Sequence, residues 1–483
     1  MQKIIRFVLD SEIVEVDFSK YPELKPTTTV LNYLRWLPTH KGVKEGCAEG
    51  DCGACTVVMA EPGPEGGLVY TTIDSCLVFL PMIHGKQLIT VENLAIKMKR
   101  EQVLHPVQQA MVDSNGSQCG YCTPGIVMSL FGMYKNHHNP SREIIEDALT
   151  GNLCRCTGYQ PIVEAAGKAC TMHGEDHFSE KENEILSLLQ KINRNKDSLV
   201  IMTPKQKYFK PFIYQEALRL REEYPHAIIT NGSTDVALRQ TKKNDLLAEI
   251  IDLSGITELK AYREEDNCFV IGAGISLEQL RELTKEKLPS FHEMLNVFGS
   301  LQIRNLATLG GNIASASPIG DMLPLLIAHG AWVKLSSLSS ERTLIIEDFI
   351  LGYRHTAIGH NELIREVVIP KPEAGSQLRA YKVSKRRDLD ISTVCAAFRL
   401  KLRNGIVTEI VMAYGGMAAK TRRAGNTENF LTEKTWSRQN VEEAMEVLAT
   451  EFEPISDARS EAEFRTRAAG NILLKFYTET KVN

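Results

Sequence analysis

The chain has 483 residues, of which 43% are hydrophobic and 24% charged, and its formal net charge is −4 at pH 7. This length predicts about three or four domains, each large enough to bury a core of its own. The charge balance, with no basic face, argues against nucleic-acid binding, and no apolar run approaches the ~20 residues needed to cross a bilayer.

The first part of the chain predicts a β-hairpin, a helix and a cysteine-rich loop. The runs IIRFVL and EIVEVDF flank a turn at Asp10 and Ser11, and TTVLNYLRWL has the spacing of a helix that packs on this hairpin. The loop GCAEGDCGAC follows, and its glycines allow a tight curl. Its cysteines with a distant fourth have the plant-type spacing for a [2Fe–2S] cluster. These ligands are Cys47, Cys52, Cys55 and Cys76.

A second group of four cysteines follows in a segment of helical periodicity. The group consists of Cys119, Cys122, Cys154 and Cys156. Helices are predicted in HPVQQAMVDSNG, TPGIVMSLFGMYKNHHN, SREIIEDALTG and PIVEAAGKACTM, with Ser141 as an N-cap and Gly151 as a C-terminal stop. The ends of four short helices are therefore predicted to hold a cluster.

Disulfides, zinc and simple burial are the alternatives for these cysteines. Disulfides need an oxidising compartment, whereas the N-terminus MQKIIRFVLDSEIV lacks the apolar core and cleavage site of a signal peptide. Zinc favours paired C-x2-C knuckles or mixed Cys/His sites, and it is a stronger alternative for the second group than for the first. The thiols therefore predict a cytoplasmic location.

Residues 174–206 are charge-rich and predict an interdomain linker with one amphipathic helix, EILSLLQKI. Farther on, HAIITNGSTDVALRQ predicts a strand, a small-residue turn and a helix, which suits either a phosphate site or an ordinary tight turn. The run VIGAGISLEQL has Leu277 where a Rossmann motif has its third glycine, which argues against a dinucleotide site. The segment FGSLQIRNLATLGGNIASASPIGDMLPLL is too rich in small and polar residues for a hydrophobic core, and it predicts a polar ligand.

Three strings carry a resemblance to a known family. KEGCAEGDCGACTV, QCGYCTPGIVMS and GNLCRCTGYQPI closely resemble, in order, the two iron–sulfur domains of the molybdenum hydroxylases, the xanthine dehydrogenase and aldehyde oxidase family. The NGST turn and the GGNIASAS segment resemble that family's FAD domain, and the resemblance covers nearly the whole chain.

The resemblance implies a multidomain α+β fold. Its parts would be a β-grasp, ferredoxin-like [2Fe–2S] domain at 1–85 and a four-helix [2Fe–2S] domain at 86–173. After the linker at 174–206, a non-Rossmann α+β FAD-binding domain would occupy 207–375. A C-terminal α+β subdomain would occupy 376–483.

The same resemblance assigns FAD-binding residues. Residues 228–234 would wrap the pyrophosphate and adenosine, Phe298 would pack beside the isoalloxazine, and Ile364 and Lys382 would lie near the flavin. Core packing stays open as the alternative for Phe298 and Ile364. The implied set is Ile228, Ile229, Thr230, Asn231, Gly232, Ser233, Thr234, Phe298, Thr308, Gly311, Asn312, Ser315, Asp321, Ile364 and Lys382.

An NAD site is implied less directly. Tyr353 and Arg354 match family positions near NAD, and the charged loop at 386–388 could govern nicotinamide access. A solvated turn is the alternative for that loop.

The resemblance implies an electron-transfer subunit of a xanthine dehydrogenase that has no substrate-hydroxylating residue of its own. Electrons released in hypoxanthine or xanthine oxidation would pass from molybdopterin on a partner subunit through two [2Fe–2S] clusters to FAD and then NAD. The chain ends without the molybdopterin-binding portion of single-chain members. A separate molybdenum subunit is therefore expected, in a heterotetramer of two small and two large subunits, with no nucleic acid or membrane as partner.

Three other functions stay open at this point. The partner could be another molybdenum hydroxylase, which oxidises an aldehyde or a different N-heterocycle. The chain could instead be a zinc-stabilised scaffold without redox function. It could also be a ferredoxin-type carrier whose flavin is reduced by NADH and which serves a different acceptor.

Overall fold

The computed structural model describes residues 2–98, 101–171, 174 and 176–481. The chain divides into two compact units. The first comprises Met1–Leu220, His226–Ile256 and Gly299–Ala307, and the second comprises Arg221–Pro225, Thr257–Phe298 and Thr308–Asn483. The domain boundary predicted at residue 173 falls outside the described residues.

Strands and helices alternate along most of the chain. The strands are β1 (Ile5–Leu9), β2 (Glu12–Val16), β3 (Thr56–Pro62), β4 (Leu68–Asp74), β5 (Gln87–Ile89), β6 (Ile96–Met98), β7 (Glu101–Val103), β8 (Leu199–Met202), β9 (Lys207–Lys210), β10 (Ile228–Thr230), β11 (Glu249–Asp252), β12 (Tyr262–Glu264), β13 (Cys268–Gly272), β14 (Trp332–Ser336), β15 (Glu341–Ile345), β16 (Ile350–Gly352), β17 (His355–Thr356), β18 (Leu363–Pro370), β19 (Gln377–Val383), β20 (Val394–Arg403), β21 (Ile406–Gly415) and β22 (Arg422–Arg423). The α-helices are α1 (Val30–Trp36), α2 (Pro106–Asp113), α3 (Thr123–Asn136), α4 (Arg142–Leu149), α5 (Gln160–Thr171), α6 (His177–Glu180), α7 (Glu182–Ile192), α8 (Tyr214–Glu223), α9 (Val236–Thr241), α10 (Leu277–Thr284), α11 (Pro289–Leu295), α12 (Leu301–Arg304), α13 (Leu309–Ala314), α14 (Met322–His329), α15 (Ile346–Phe349), α16 (Gly425–Leu431), α17 (Arg438–Glu451) and α18 (Ala462–Thr480).

The first unit begins with a five-stranded sheet of order β2-β1-β5-β3-β4. The predicted hairpin is confirmed, because β1 and β2 pair antiparallel and Asp10 has the positive φ (56°) of a tight turn. Helix α1 is capped by the Thr29 side chain and shares a hydrophobic core with the sheet, including Phe7 and Leu34. A mixed sheet crossed by one helix is the arrangement expected of a β-grasp domain.

All four helices predicted around the second cysteine group are present as α2 to α5. The Ser141 hydroxyl caps α4 by accepting from the N–H of Ile144, as predicted from the sequence. These helices share one core in which α3 is buried along most of its length. The four cysteines lie at the ends of these helices and in the loops that connect them.

The remainder of the first unit contains the segment predicted as a linker. Its amphipathic helix is present as α7, whose buried Ile185, Leu189 and Ile192 pack with Val8 of β1. The segment continues into a sheet of order β10-β11-β9-β8, in which β9, β11 and β10 run parallel.

The second unit contains two larger sheets, of order β12-β13-β18-β14-β15 and β19-β20-β21-β22. Strand β13, which precedes Gly272, pairs antiparallel with both neighbours, whereas a Rossmann strand belongs to a parallel sheet. The expectation of a non-Rossmann FAD domain is thus confirmed, as is the multidomain α+β class. In the described part of the chain, no helix combines the length and apolarity needed to cross a bilayer.

Candidate cofactor sites

The first four cysteines converge in two pairs. Cys47 and Cys52 lie in the loop between α1 and β3, and their thiols are within hydrogen-bond reach of each other. Cys55, just before β3, meets Cys76 in the turn after β4 in the same way. The loop curls as predicted, because Gly50 and Gly53 adopt φ of 75° and 66°.

Backbone donors surround one of these thiols. The N–H groups of Glu49 and Asp51 lie 3.4 Å and 3.3 Å from Cys47 Sγ. The hydrogen bond with Cys52, supported by these N–H groups, lowers the pKa of Cys47 to about 5. Hydrogen bonds that favour thiolate also favour metal ligation, because the thiolate is the ligating form.

One residue of this site was missed by sequence reasoning. Asp74 is fully buried, and its Oδ1 lies 3.6 Å from Cys55 Sγ. Burial raises the pKa of Asp74 to about 7. Its position before Cys76 in TTIDSC gave no signal, since an aspartate before a turn is common.

The second four cysteines also meet in two pairs. Cys119 is paired with Cys156, and Cys122, the N-cap of α3, with Cys154. Cys154 is buried, whereas Cys119 and Cys156 are exposed. The Tyr159 hydroxyl accepts from the N–H of Cys154 at 2.8 Å and so fixes the loop.

The two sets suit iron–sulfur ligation by their donor chemistry. Four cysteine thiolates hold a [2Fe–2S] cluster, and each set supplies four thiols in two pairs. All eleven cysteines, every one within the described ranges, are free. Among the described residues, no group of three or more His, Cys, Asp or Glu side chains is arranged for a single metal ion.

The two thiol sets are joined through the backbone. Leu153, next to Cys154, donates its N–H to the carbonyl oxygen of Cys52 at 3.0 Å. The close approach depends on a pair of glycines, because a Cβ on Gly125 of α3 would lie 2.0 Å from the Gly53 oxygen.

In the first unit, the predicted phosphate turn follows β10. Ser233 has a φ of 60°, and its hydroxyl donates to the carbonyl oxygen of Leu77, the neighbour of Cys76. Gly232 lies so close to Leu306 that a Cβ would come within 1.6 Å of that residue's carbonyl oxygen. The buried Thr230 Oγ1 has no hydrogen-bond partner among the described residues, which fits a polar ligand at this turn. The other residues predicted here, which are partly buried, are Ile228, Ile229, Asn231 and Thr234.

In the second unit, helix α13 carries several of the predicted FAD residues. Its N-cap is Thr308, whose hydroxyl accepts from the N–H of Gly311 at 3.1 Å. The Ser315 hydroxyl donates to the carbonyl oxygen of Asn312 at 2.9 Å. The Asn312 Oδ1 is buried without a hydrogen-bond partner in the described part of the chain. An orphaned buried acceptor fits a hydrogen-bonding ligand such as FAD.

The second unit also brings Lys382, Asp321 and Phe298 together. Lys382 Nζ lies 3.1 Å from Asp321 Oδ2 and 6.0 Å from the centre of the Phe298 ring, and it donates to the carbonyl oxygen of Val297 at 2.9 Å. Both charged side chains are about 5% exposed or less. Sequence alone did not indicate this ion pair, because its members lie far apart in the chain.

Ile364 and the residues predicted near NAD have distinct settings. Ile364 is 7% exposed in β18, which core packing also requires. The carbonyl oxygen of its neighbour Arg365 accepts from the N–H of Ala273, and the carbonyl oxygen of Ala273 accepts from the N–H of Gly310 in α13.

Among the residues predicted near NAD, Tyr353 is 65% exposed, and Arg354 has a φ of 49°. In the charged loop, Arg386 pairs with Asp390, Arg387 is largely exposed, and the carbonyl of Asp388 accepts from Lys382.

Three family models match the chain. They are the [2Fe-2S] binding domain at residues 90–167, the FAD binding domain in molybdopterin dehydrogenase at 203–372, and the CO dehydrogenase flavoprotein C-terminal domain at 379–480.

Curated relatives and solved structures agree with these matches. The chain is 32% identical to the xanthine dehydrogenase/oxidase of Gallus gallus over 98% of its own length and 40% of that protein. It is 34% identical to the xanthine dehydrogenase of Emericella nidulans over 90% of its length and 35% of that protein. Carbon monoxide dehydrogenase from Hydrogenophaga pseudoflava matches 57% of the chain and 96% of its own chain, with 27% identity and a TM-score of 0.54.

These domains and relatives place the chain in the molybdenum hydroxylase family, as an oxidoreductase component with FAD- and [2Fe–2S]-binding domains. Within that family the curated relatives that it matches include xanthine dehydrogenases, and the chain spans about two fifths of the length of these proteins.

Proposed function

We propose that this chain is the electron-transfer subunit of a xanthine dehydrogenase. Electrons from hypoxanthine or xanthine oxidation at a molybdenum cofactor on a partner subunit pass through two [2Fe–2S] clusters to FAD and then to NAD. When bound, the clusters carry single electrons, and FAD accepts electrons singly and releases two as hydride.

The ligands of both clusters are part of the proposal. The first cluster is assigned to Cys47, Cys52, Cys55 and Cys76, and the second to Cys119, Cys122, Cys154 and Cys156. The pairing of thiols within each set supports both assignments.

Two hydrogen bonds support the order of the relay. A hydrogen bond joins Leu153, the neighbour of Cys154, to the Cys52 carbonyl. Another joins Leu77, the neighbour of Cys76, to Ser233 in the predicted FAD turn. The second thiol set, the first thiol set and this turn therefore form a continuous series inside one unit, which supports transfer in that order.

The FAD assignment rests on polar groups that lack partners and on fixed backbone turns. Thr230 and Asn312 each offer a buried oxygen without a partner among the described residues. Ser233 and Thr308 fix the backbone conformations of their turns. Lys382 with Asp321 supplies a buried ion pair beside Phe298, suited to orienting a flavin. The remaining proposed FAD residues are Ile228, Ile229, Asn231, Gly232, Thr234, Gly311, Ser315 and Ile364.

The NAD and partner assignments rest on exposed residues. Tyr353, Arg354 and the loop at 386–388 are assigned to nicotinamide access.

The partner assignment rests on the second thiol set. Cys119 and Cys156 are exposed, and Tyr121 and Tyr159 beside them are 48% and 38% exposed. Such an apolar rim around a redox centre fits a docking face for the molybdenum subunit, in a heterotetramer of two small and two large subunits. Eleven free thiols support a cytoplasmic location.

Anaerobic purification of the native complex tests the proposal. We expect four irons, four acid-labile sulfides and one FAD per chain, together with a molybdenum subunit, and NADH formation with xanthine. A colourless protein without iron or sulfide would refute the relay, and bound zinc would favour a scaffold.

A second candidate is the corresponding subunit of a hydroxylase that acts on aldehydes or other N-heterocycles. Substrate is selected in the partner, so a panel of purines, aldehydes and N-heterocycles assayed with the complex separates the two. NADH-dependent dye reduction without any molybdenum partner would favour a ferredoxin-type carrier.

A further inference from the structure

The short segment Gly299–Ala307 belongs to the first unit, although it lies in the chain between two stretches of the second. It contains α12, capped by the buried Ser300. Two long polar side chains on this helix, Gln302 and Arg304, are completely buried. Burying such groups costs free energy unless they are hydrogen-bonded, so their contacts indicate what the segment does.

Gln302 is the first donor in a directed chain of hydrogen bonds. Its Nε2 donates to Ser129 Oγ at 2.9 Å and to Asn152 Oδ1 at 3.1 Å. Ser129 also donates to Asn152 Oδ1, at 2.6 Å. With its oxygen held by two donors, Asn152 can turn only its Nδ2 toward the first cysteine loop, where it donates to the Gly53 carbonyl at 3.1 Å and to Thr56 Oγ1 at 3.3 Å.

The last acceptor in this chain lies between two proposed cluster ligands, because Gly53 follows Cys52 and precedes Cys55 by two positions. Gly53 has a positive φ, and because glycine has the widest choice of backbone conformations, hydrogen bonds from outside the loop are needed to hold its peptide in one orientation. The rotamer of Asn152 thus fixes a carbonyl in the middle of the ligand loop. The amide of Gln302 in turn fixes that rotamer.

Arg304 anchors the same helix through different residues. Its guanidinium forms two hydrogen bonds of 2.8 Å with the carboxylate of Asp147 in α4. This bidentate ion pair does not include Asn152 or Gly53. It therefore offers a control for the general anchoring of α12.

We propose that Gln302 is a positioning residue for the first iron–sulfur centre, acting through Asn152 on the Gly53 carbonyl. This inference rests on the proposed cluster assignment. Residues that form hydrogen bonds to metal ligands orient those ligands, and their loss typically costs 10- to 100-fold in metal affinity or activity. Gln302 had no signal in the sequence, since it lies far from every cysteine.

The test compares Gln302→Met, which keeps the length without the amide, with Gln302→Glu, which keeps the shape but replaces the amide N–H donors by a carboxyl group. In the holoenzyme we expect either variant to change the electron paramagnetic resonance signal of the first centre. We also expect chelator to remove that centre about tenfold faster. Asn152→Ala should have the same effects, and Gln302→Met combined with Asn152→Ala should be no worse than Asn152→Ala alone.

Arg304→Lys is the matched control. It should lower stability while leaving the first-centre signal and its rate of loss unchanged. The proposal is overturned if folded Gln302 variants keep the wild-type signal, if Arg304→Lys alters it equally, or if the Gln302 and Asn152 effects add. Wild-type protein without iron and sulfide would instead refute the cluster assignment, so the iron and sulfide content of the wild type is measured first.

Discussion

The backbone N–H of Leu153 donates to the carbonyl oxygen of Cys52 at 3.0 Å. One hydrogen bond thus connects the neighbour of Cys154 in the second thiol set directly to a residue of the first set. Every other link on this route between the two sulfur atoms is covalent. The contact is backbone to backbone, so every substitution at position 153 except proline keeps the N–H that forms it.

Leu153→Pro removes the N–H and should slow electron transfer between the two centres, because proline has no donor to offer. We expect both centres to remain assembled, since neither loses a thiol. Rapid freeze-quench electron paramagnetic resonance after xanthine addition would show the second centre reduced well before the first.

Leu153→Ala is the control, because it shortens the side chain but retains the N–H. It should show wild-type kinetics. Equal rates in Leu153→Pro and wild type would mean that this hydrogen bond is not part of the route.

Cys55→Ser should abolish or distort the first centre alone. Cys55 is buried and paired with Cys76, and a serine hydroxyl is a poor substitute for a thiolate on iron. We expect loss of about two of four irons, with the second-centre signal and the flavin absorbance retained.

Cys170→Ser is the matched control, since Cys170 is equally buried in the first unit but belongs to neither thiol set. It should retain all iron. Two intact cluster signals in Cys55→Ser would refute the ligand assignment.

Lys382→Met should lower the free energy of unfolding by about 3–5 kcal/mol, because it leaves the carboxylate of Asp321 buried without its partner. FAD content should fall as well. Urea unfolding followed by fluorescence measures the first effect, and the ratio of flavin to protein measures the second.

The double variant Lys382→Met with Asp321→Asn removes both charges and should recover most of the stability. FAD binding should stay weak if Lys382 itself meets the flavin. Recovery of both properties would leave Lys382 with a structural role only.

Stability should depend on pH through His329. Burial, with the charge of Arg399, lowers the pKa of His329 from 6.5 to about 4, against the opposing hydrogen bond to the Pro370 carbonyl. Between these values the unfolded state binds more protons than the folded state, so stability is complete above pH 6.5 and falls as the pH drops toward 4. At pH 5 the loss is on the order of 2 kcal/mol.

His329→Gln cannot titrate, so its unfolding free energy should change less between pH 7 and pH 5 than that of the wild type. His360→Gln, at an exposed position, should keep the wild-type dependence. An identical pH profile for His329→Gln and wild type would exclude this histidine as the cause.

Local structure was largely predictable from the sequence. The hairpin at Asp10, the Ser141 cap and the four helices around the second cysteine group follow from periodicity and capping, which depend on neighbours a few positions apart. The rejection of a Rossmann site rested on the single residue Leu277. The antiparallel pairing of β13 agrees with it.

The cofactor classes were also encoded locally, since ligand type and spacing are properties of a short stretch of chain. The pairing of the thiols within each set was not predictable from a short stretch of chain. Cys55 meets Cys76 only because β3 and β4 pair, and Cys122 meets Cys154 only because α3 and α4 bring their loops together.

The sequence by itself determined what this protein can hold: thiols spaced for two-iron centres, small polar turns for a flavin, and strands and helices around them. Only the tertiary structure decided how these parts adjoin. Leu153 donates a hydrogen bond to Cys52, Ser233 donates one to Leu77, and Gln302 donates one to Asn152. The physical reason is that each of these contacts joins residues distant in the chain. Such pairs are selected by the packing of whole elements rather than by any local pattern.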